Sequence, residues 1–156
     1  MEKLDSLNQV ADFHQTFGAP ILDTPTIPDK ARCELRVKLL EEELEELKQA
    51  IADNDLVEIA DALCDLQYVL SGAVLEFGLG NKFVDLFNEV QRSNMSKACQ
   101  TLEEAQQTVA HYKAKDGTEA EIKEEHGLFK VYRTSDNKVL KSIAYSPAQL
   151  KEILEA

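Results

Sequence analysis

The chain has 156 residues, a formal net charge of −12, 44% apolar and 29% charged residues, a mixture typical of one soluble globular core and outside the disordered range. An acid excess this large repels nucleic-acid backbone unless the basic residues segregate onto one face, and no such segregation is visible, so nucleic acid is excluded as a partner. No uncharged apolar run reaches membrane-spanning length, and the first residues mix charge into a helical pattern where a signal peptide has an apolar block, so a cytoplasmic, membrane-free protein is expected.

Leu4, Leu7, Val10, Ala11 and Phe17 recur at helical spacing and predict a first helix over 3–17, ended by Gly18. Pro20, Pro25 and Pro28 then fix φ and remove backbone donors, which makes 19–28 an extended connector. A second helix follows over 29–52 with Leu40, Leu44, Leu47 and Ile51 as its core stripe, and Asp53-Asn54-Asp55 forms a capped turn. The third helix, 56–77, is short of polar residues on every side, so it is expected to be central and packed almost all round, and Gly78 and Gly80 break it. A fourth helix spans 82–98, and Thr101 with Glu104 is a capping box opening a fifth that ends near Lys115.

After a charged stretch the apolar period shortens: 128–133 and 138–144, separated by Thr134–Asn137, predict a β-hairpin, and Ser146-Pro147 opens a short last helix through Leu154. The fold expected is an all-α bundle carrying a small C-terminal hairpin and terminal helix, with a helical domain over 1–115 and the appendage over 116–156. Cys33, Cys64 and Cys99 are odd in number and widely spaced, which predicts free, buried thiols and a reducing compartment. The histidines His14, His111 and His126 are lone residues, expected on the surface or in packing.

The acids carry the chemistry. A bare glutamate run is usually a solvated face, but advancing about 100° per residue puts Glu41 and Glu45 among Lys38, Lys48 and Gln49. Glu43 and Glu46 instead fall on the strip of Leu39 and Ala50, with Glu42 between the two regimes. On the next helix Glu58, Asp61 and Asp65 share one side at i, i+3, i+7, and no Lys or Arg accompanies them. Ionised carboxylates facing inward from two neighbouring helices are costly unless neutralised. Arg36, Arg92 and Lys97 are the candidate protein partners, too few for the charge. A divalent cation supplies the remainder, and all-oxygen ligation with no inward His or Cys suits magnesium, with manganese as the alternative, rather than zinc.

The segment Arg36 to Glu46, followed by Glu58-Ile-Ala-Asp61, resembles the two-part acidic signature of the all-α nucleoside triphosphate pyrophosphohydrolases. That superfamily groups MazG, dimeric dUTPases and phosphoribosyl-ATP pyrophosphohydrolase. Glu89 to Lys97 is similar to the segment of MazG-like proteins that supplies Asn and Lys to substrate. The resemblance implies a MazG-like fold and hydrolysis of a nucleoside triphosphate to a monophosphate and pyrophosphate. It also implies Glu43, Glu46, Glu58 and Asp61 as metal ligands, Glu42 as the residue that orients or deprotonates water, and Asn94 and Lys97 as substrate contacts. Asp65 binds a second metal or holds a lysine, and Arg92 contacts substrate or forms an intersubunit ion pair. In the tail, Tyr132, Arg133, Lys138, Lys141 and Tyr145 concentrate basic and aromatic residues that either close over the triphosphate or are ordinary surface.

Phosphoribosyl-ATP pyrophosphohydrolase of histidine synthesis is the alternative enzyme, and a non-catalytic acidic helical interaction protein is the alternative of another class. Helices apolar nearly all round in so small a chain predict a homodimer, with a tetramer as the alternative.

Overall fold

The computed structural model describes residues 3–156. Six α-helices and one two-stranded hairpin occur among them: α1 (Ser6–Phe17), α2 (Lys30–Ala52), α3 (Leu56–Glu76), α4 (Phe83–Met95), α5 (Leu102–Asp116), β1 (Ala120–Glu125), β2 (Leu128–Arg133) and α6 (Leu150–Glu155). The mostly helical class agrees with the sequence pattern. No single helix is long and apolar enough to cross a membrane. The chain forms two compact units, one through Phe83 and the other from Val84 to Ala156. Thus α5 belongs with the hairpin, whereas the sequence pattern groups it with the helices before it.

In the N-terminal unit, α3 packs against both α1 and α2. Local chemistry sets the boundaries. Gly18 takes the left-handed conformation (φ 70°) and caps α1. Asp29 accepts a hydrogen bond from the Arg32 backbone N–H, and Asp55 accepts from those of Val57 and Glu58, satisfying donors that helix starts leave unpaired. The short link Asp53–Asp55 makes α2 and α3 an antiparallel pair. The Pro-bearing connector runs beside the end of α3, where Leu22 N–H donates to the Leu75 carbonyl and Thr26 N–H to that of Phe77, both at 3.0 Å. Gly78 (φ 65°) is needed there, since a Cβ on it would lie 1.9 Å from the Thr24 carbonyl oxygen.

Two expectations for this unit are corrected. Buried residues of α3 are Ala62 and the stretch around Ser71–Glu76, while Leu56, Val57 and Leu63 stand open to solvent. Of the α2 stripe, Leu44 and Ile51 are exposed, and the buried α2 residues are Arg36 and Ala50. The reason is coverage: α3 is the principal neighbour of α2, so the apolar residues turned away from it stay exposed.

The buried end of α3 holds a charge cluster. Glu76 is 1% exposed and accepts hydrogen bonds from Arg32, whose Nε lies 3.0 Å away, and from Arg36. His14, also buried, contacts the Pro20 carbonyl through Nδ1 at 2.8 Å and Arg36 Nη2 through Nε2 at 3.4 Å. Gly72 leaves room for them, since a Cβ would sit 2.8 Å from Arg36 Nη1. His14 is therefore a packing residue.

In the C-terminal unit, Cys99, Ala105, Val131 and Leu140 form the core, with Val109, Tyr112, Ala120, Ile122 and Phe129 packed on it. The hairpin pairs β1 with β2, Ala120 opposite Arg133 and Glu125 opposite Leu128. The expected partner strand 138–144 contributes an isolated bridge, Tyr132 to Val139, so the hairpin sits one strand earlier than the pattern predicts. The charged sequence of β1 conceals its alternation, in which Ala120 and Ile122 face the core and the residues between them face water. His126 and Gly127, both at positive φ, make the two-residue turn. The three thiols are free, but only Cys99 is buried; Cys33 is half-buried and Cys64 exposed, because the α3 face bearing Cys64 is uncovered.

Burial alone pushes the Glu76 carboxyl up, yet the hydrogen bonds from Arg36 and Arg32 hold it below the usual glutamate range. Breaking a buried pair leaves an uncompensated charge at a cost of about 3–5 kcal/mol. Glu76→Gln is therefore expected to lower the chemical-denaturation stability by about that amount. In the wild type, the contribution of Glu76 is complete above the unfolded glutamate pKa of about 4.3 and is lost as pH falls through the lower folded value. A pH series on both proteins checks it, the difference between them narrowing in acid.

Candidate active site

The acids of interest stand on the α2–α3 pair. In an antiparallel pair closed by Asp53–Asp55, positions equidistant from the turn lie side by side, which brings Glu43 level with Asp65 and Glu46 level with Asp61. The electrostatics of Glu43 report the same neighbourhood. Its carboxyl is pushed above the usual range by burial first, then by Glu46, Asp65, Glu42 and Asp61. Glu58 lies nearer the turn, in the first turn of α3, where the helix N-terminus favours a negative charge.

Glu43 and Asp65 are half-buried; Glu42, Glu46, Glu58 and Asp61 are exposed. The inward strip expected of Glu46, Glu58 and Asp61 is thus open on its outer side, as are the apolar faces flanking it. Among the described residues no three His, Cys, Asp or Glu side chains already converge as a metal cage. None of the salt bridges among them reaches Glu43, Glu46, Glu58, Asp61 or Asp65, whereas Glu42 pairs with Lys38 at 3.3 Å.

The protein cations that could have neutralised this group are engaged elsewhere. Arg36 serves Glu76. Arg92 is bidentate to Glu89, at 2.8 and 2.7 Å, and donates to the Pro147 carbonyl at 3.1 Å. The Arg92 hydrogen bonds, with the Gln149 backbone N–H, hold the Glu89 carboxyl down at about 2. Lys97 donates to Asn94 Oδ1 at 2.8 Å, so this Asn–Lys pair is preformed at the end of α4. The donor set on α2 and α3 fits a hard divalent cation: all oxygen, multiply anionic, without a protein counter-charge. Asp65 belongs to this group more closely than the spacing alone indicates, since it acts directly on Glu43.

The tail residues stand in the C-terminal unit. Lys123 Nζ lies 5.0 Å from the centre of the Tyr132 ring, Arg133 pairs with Asp136, the Lys138 N–H donates to Asp136, and Lys141 Nζ is 4.3 Å from the centre of the Tyr145 ring. Sequence reasoning missed the Arg32–Glu76–Arg36 cluster, although a lone acid between Leu75 and Phe77 was a usable signal.

The profile of the phosphoribosyl-ATP pyrophosphohydrolase family matches residues 10–94, more than half of the chain and all of α2 and α3. The chain belongs to that family. This phosphoribosyl-ATP pyrophosphohydrolase-family protein accordingly falls within the MazG-like all-α superfamily of pyrophosphohydrolases, hydrolases that act on phosphoric anhydrides. An uncharacterized protein of Acanthamoeba polyphaga mimivirus is 23% identical to it, the match covering 99% of this chain and 97% of the viral one. That match runs through the C-terminal unit as well, most of which the family profile leaves out.

Without metal, the raised Glu43 carboxyl makes the family member less stable as pH rises through the folded value of that group, since the folded state then holds the proton more tightly than the unfolded chain. Glu43→Gln should therefore melt higher than wild type in EDTA at neutral pH. The gap should close in acid below the unfolded glutamate value of about 4.3. Scanning calorimetry in EDTA across this range tests it; equal melting temperatures at neutral pH would refute the repulsion.

Proposed function

We propose that this protein hydrolyses a nucleoside triphosphate between the α and β phosphates, giving a nucleoside monophosphate and pyrophosphate, with magnesium held by Glu43, Glu46, Glu58 and Asp61. The observation that supports it is the group of carboxylates across α2 and α3 left without any protein cation, in a chain of a pyrophosphohydrolase family. When bound, the ion supplies charge neutralisation for the phosphates and lowers the pKa of an attacking water. Glu43, Glu46, Glu58 and Asp61 hold and position that charge. Glu42, exposed and bound only to a surface lysine, is the residue proposed to orient water and accept its proton. As water adds at phosphorus, the anhydride P–O bond breaks and pyrophosphate leaves. Asn94 and Lys97 contact the phosphates or sugar.

The family description favours a second reading, in which phosphoribosyl-ATP is the substrate and the same anhydride bond is cleaved. The exposed apolar residues Val37, Leu44, Ile51, Leu56, Val57 and Leu63 support a homodimer, since an open apolar face of this extent is normally an interface.

Incubation with magnesium and a panel of nucleotides that includes phosphoribosyl-ATP is expected to release pyrophosphate, and EDTA to abolish the release. Orthophosphate alone, in a preparation free of pyrophosphatase, would dismiss the reaction. Glu46→Gln and Asp61→Asn should each lower turnover by at least about a hundredfold, given that losing even an outer partner of a metal ligand costs about 10- to 100-fold. A non-catalytic scaffold would show no turnover to lose. Sedimentation equilibrium should give a dimer, and monomer alone at micromolar concentration would contradict the proposed assembly.

A further inference from the structure

The C-terminal unit contains a cavity of about 390 Å³ lined by His111, Tyr112, Lys141, Ser142, Ile143 and Tyr145, a volume within the range of small-molecule sites. Its frame is fixed from below. Ser142 is buried and bonds to Glu104, its N–H donates to the Lys97 carbonyl at 3.1 Å, and the Ile143 N–H donates to Thr108 Oγ1 at 3.1 Å. These contacts hold the 141–145 segment against α5.

Two tyrosine rings form its walls, and each carries a lysine: Lys141 over Tyr145 at 4.3 Å and Lys115 over Tyr112 at 5.8 Å. Ser93 donates to the Tyr145 hydroxyl oxygen at 3.3 Å. That bond, together with the charges of Lys141 and Lys97, holds the phenol below its usual range, so Lys97 also reaches this neighbourhood.

The charge pattern gives the cavity a ligand. In a chain with 29 acids against 17 Lys and Arg, a basic side chain ordinarily finds a carboxylate. Among the described residues Lys141, which lines the cavity, takes part in no salt bridge, and neither do Lys97 and Lys115, which act on its two tyrosine rings from outside the lining. A cation without a carboxylate facing an open space calls for an anion, and aromatic walls beside it call for a flat ring.

The geometry points to a nucleoside phosphate bound in this cavity without a metal ion, its phosphate on Lys141 and its base against Tyr145 and Tyr112. Such a site differs in kind from the carboxylate group on α2 and α3, which repels a nucleotide unless a divalent cation is present. The two are therefore separable by chelation.

The test is calorimetric titration of the full-length protein in EDTA with AMP and, separately, with inorganic phosphate. AMP should bind once per chain and at least about fivefold more tightly than phosphate, the difference being the stacked base. Lys141→Met, which keeps the aliphatic stem of an exposed side chain, should weaken AMP by about fivefold or more, the loss of one unscreened surface charge contact. Lys141→Arg should restore binding, and Glu46→Gln should leave it unchanged. Absence of AMP binding in EDTA, or binding that Lys141→Met does not weaken, overturns the site. Equal affinity for AMP and phosphate overturns the nucleoside assignment. Neither result bears on magnesium-dependent pyrophosphate release, which is measured separately.

Discussion

The constraint on which the molecule turns is the gathering of like charge along α2 and α3 without a protein counter-charge. One helix shows both ways of treating a carboxylate. Glu76, at the C-terminal end of α3 where the helix dipole is unfavourable to an anion, is buried and held by two arginines. Asp61 and Asp65, about three to four turns earlier, have no salt bridge among the described residues. The arginines of the N-terminal unit are both spent on the acid whose burial demands them, so the open acids are left without an arginine. A buried, paired acid and open, unpaired ones thus coexist on one helix because their exposures differ.

The same uneven coverage explains the apolar surface. The chain is rich enough in leucine, isoleucine and valine to make α2 and α3 look buried all round, but within the unit α2 is covered chiefly by α3, and α3 by α1 and α2, which leaves part of each bare. Leu44 and Ile51 on α2, with Leu56, Val57 and Leu63 on α3, therefore meet solvent. Wherever a second protein surface covers them, the flanking carboxylates lose water too, and their need for a cation rises.

What could be read in the sequence was local. Gly18, Asp29, Asp55, Thr101 and Gly117 each stand where a helix starts or ends, because caps depend on a few adjacent backbone groups. The side of α2 bearing Glu43 was legible from rotation about the helix axis. Strand β1 was hidden, since Glu121, Lys123, Glu124 and Glu125 mask the two apolar residues that face the core. The Arg36–Glu76 pair was hidden for another reason, joining residues forty positions apart. Burial of Glu46, Leu44 and Cys64 was over-predicted because amphipathicity shows which face seeks cover and is silent on whether the chain provides it.

Charge is divided between the two units in a way that limits what each can bind. Seventeen of the 29 acids precede Val84, while ten of the 17 Lys and Arg follow it, leaving the C-terminal unit close to neutral. An anion approaching the N-terminal unit meets the carboxylates of α2 and α3, and the arginines there already serve Glu76. Among the described residues of the C-terminal unit, Lys97, Lys115, Lys138 and Lys141 take part in no salt bridge. Direct recognition of a phosphate by side chains is therefore better served after Val84 than on α2 and α3, whose carboxylates repel an anion. The match of the viral protein through both units is in keeping with the two being retained together.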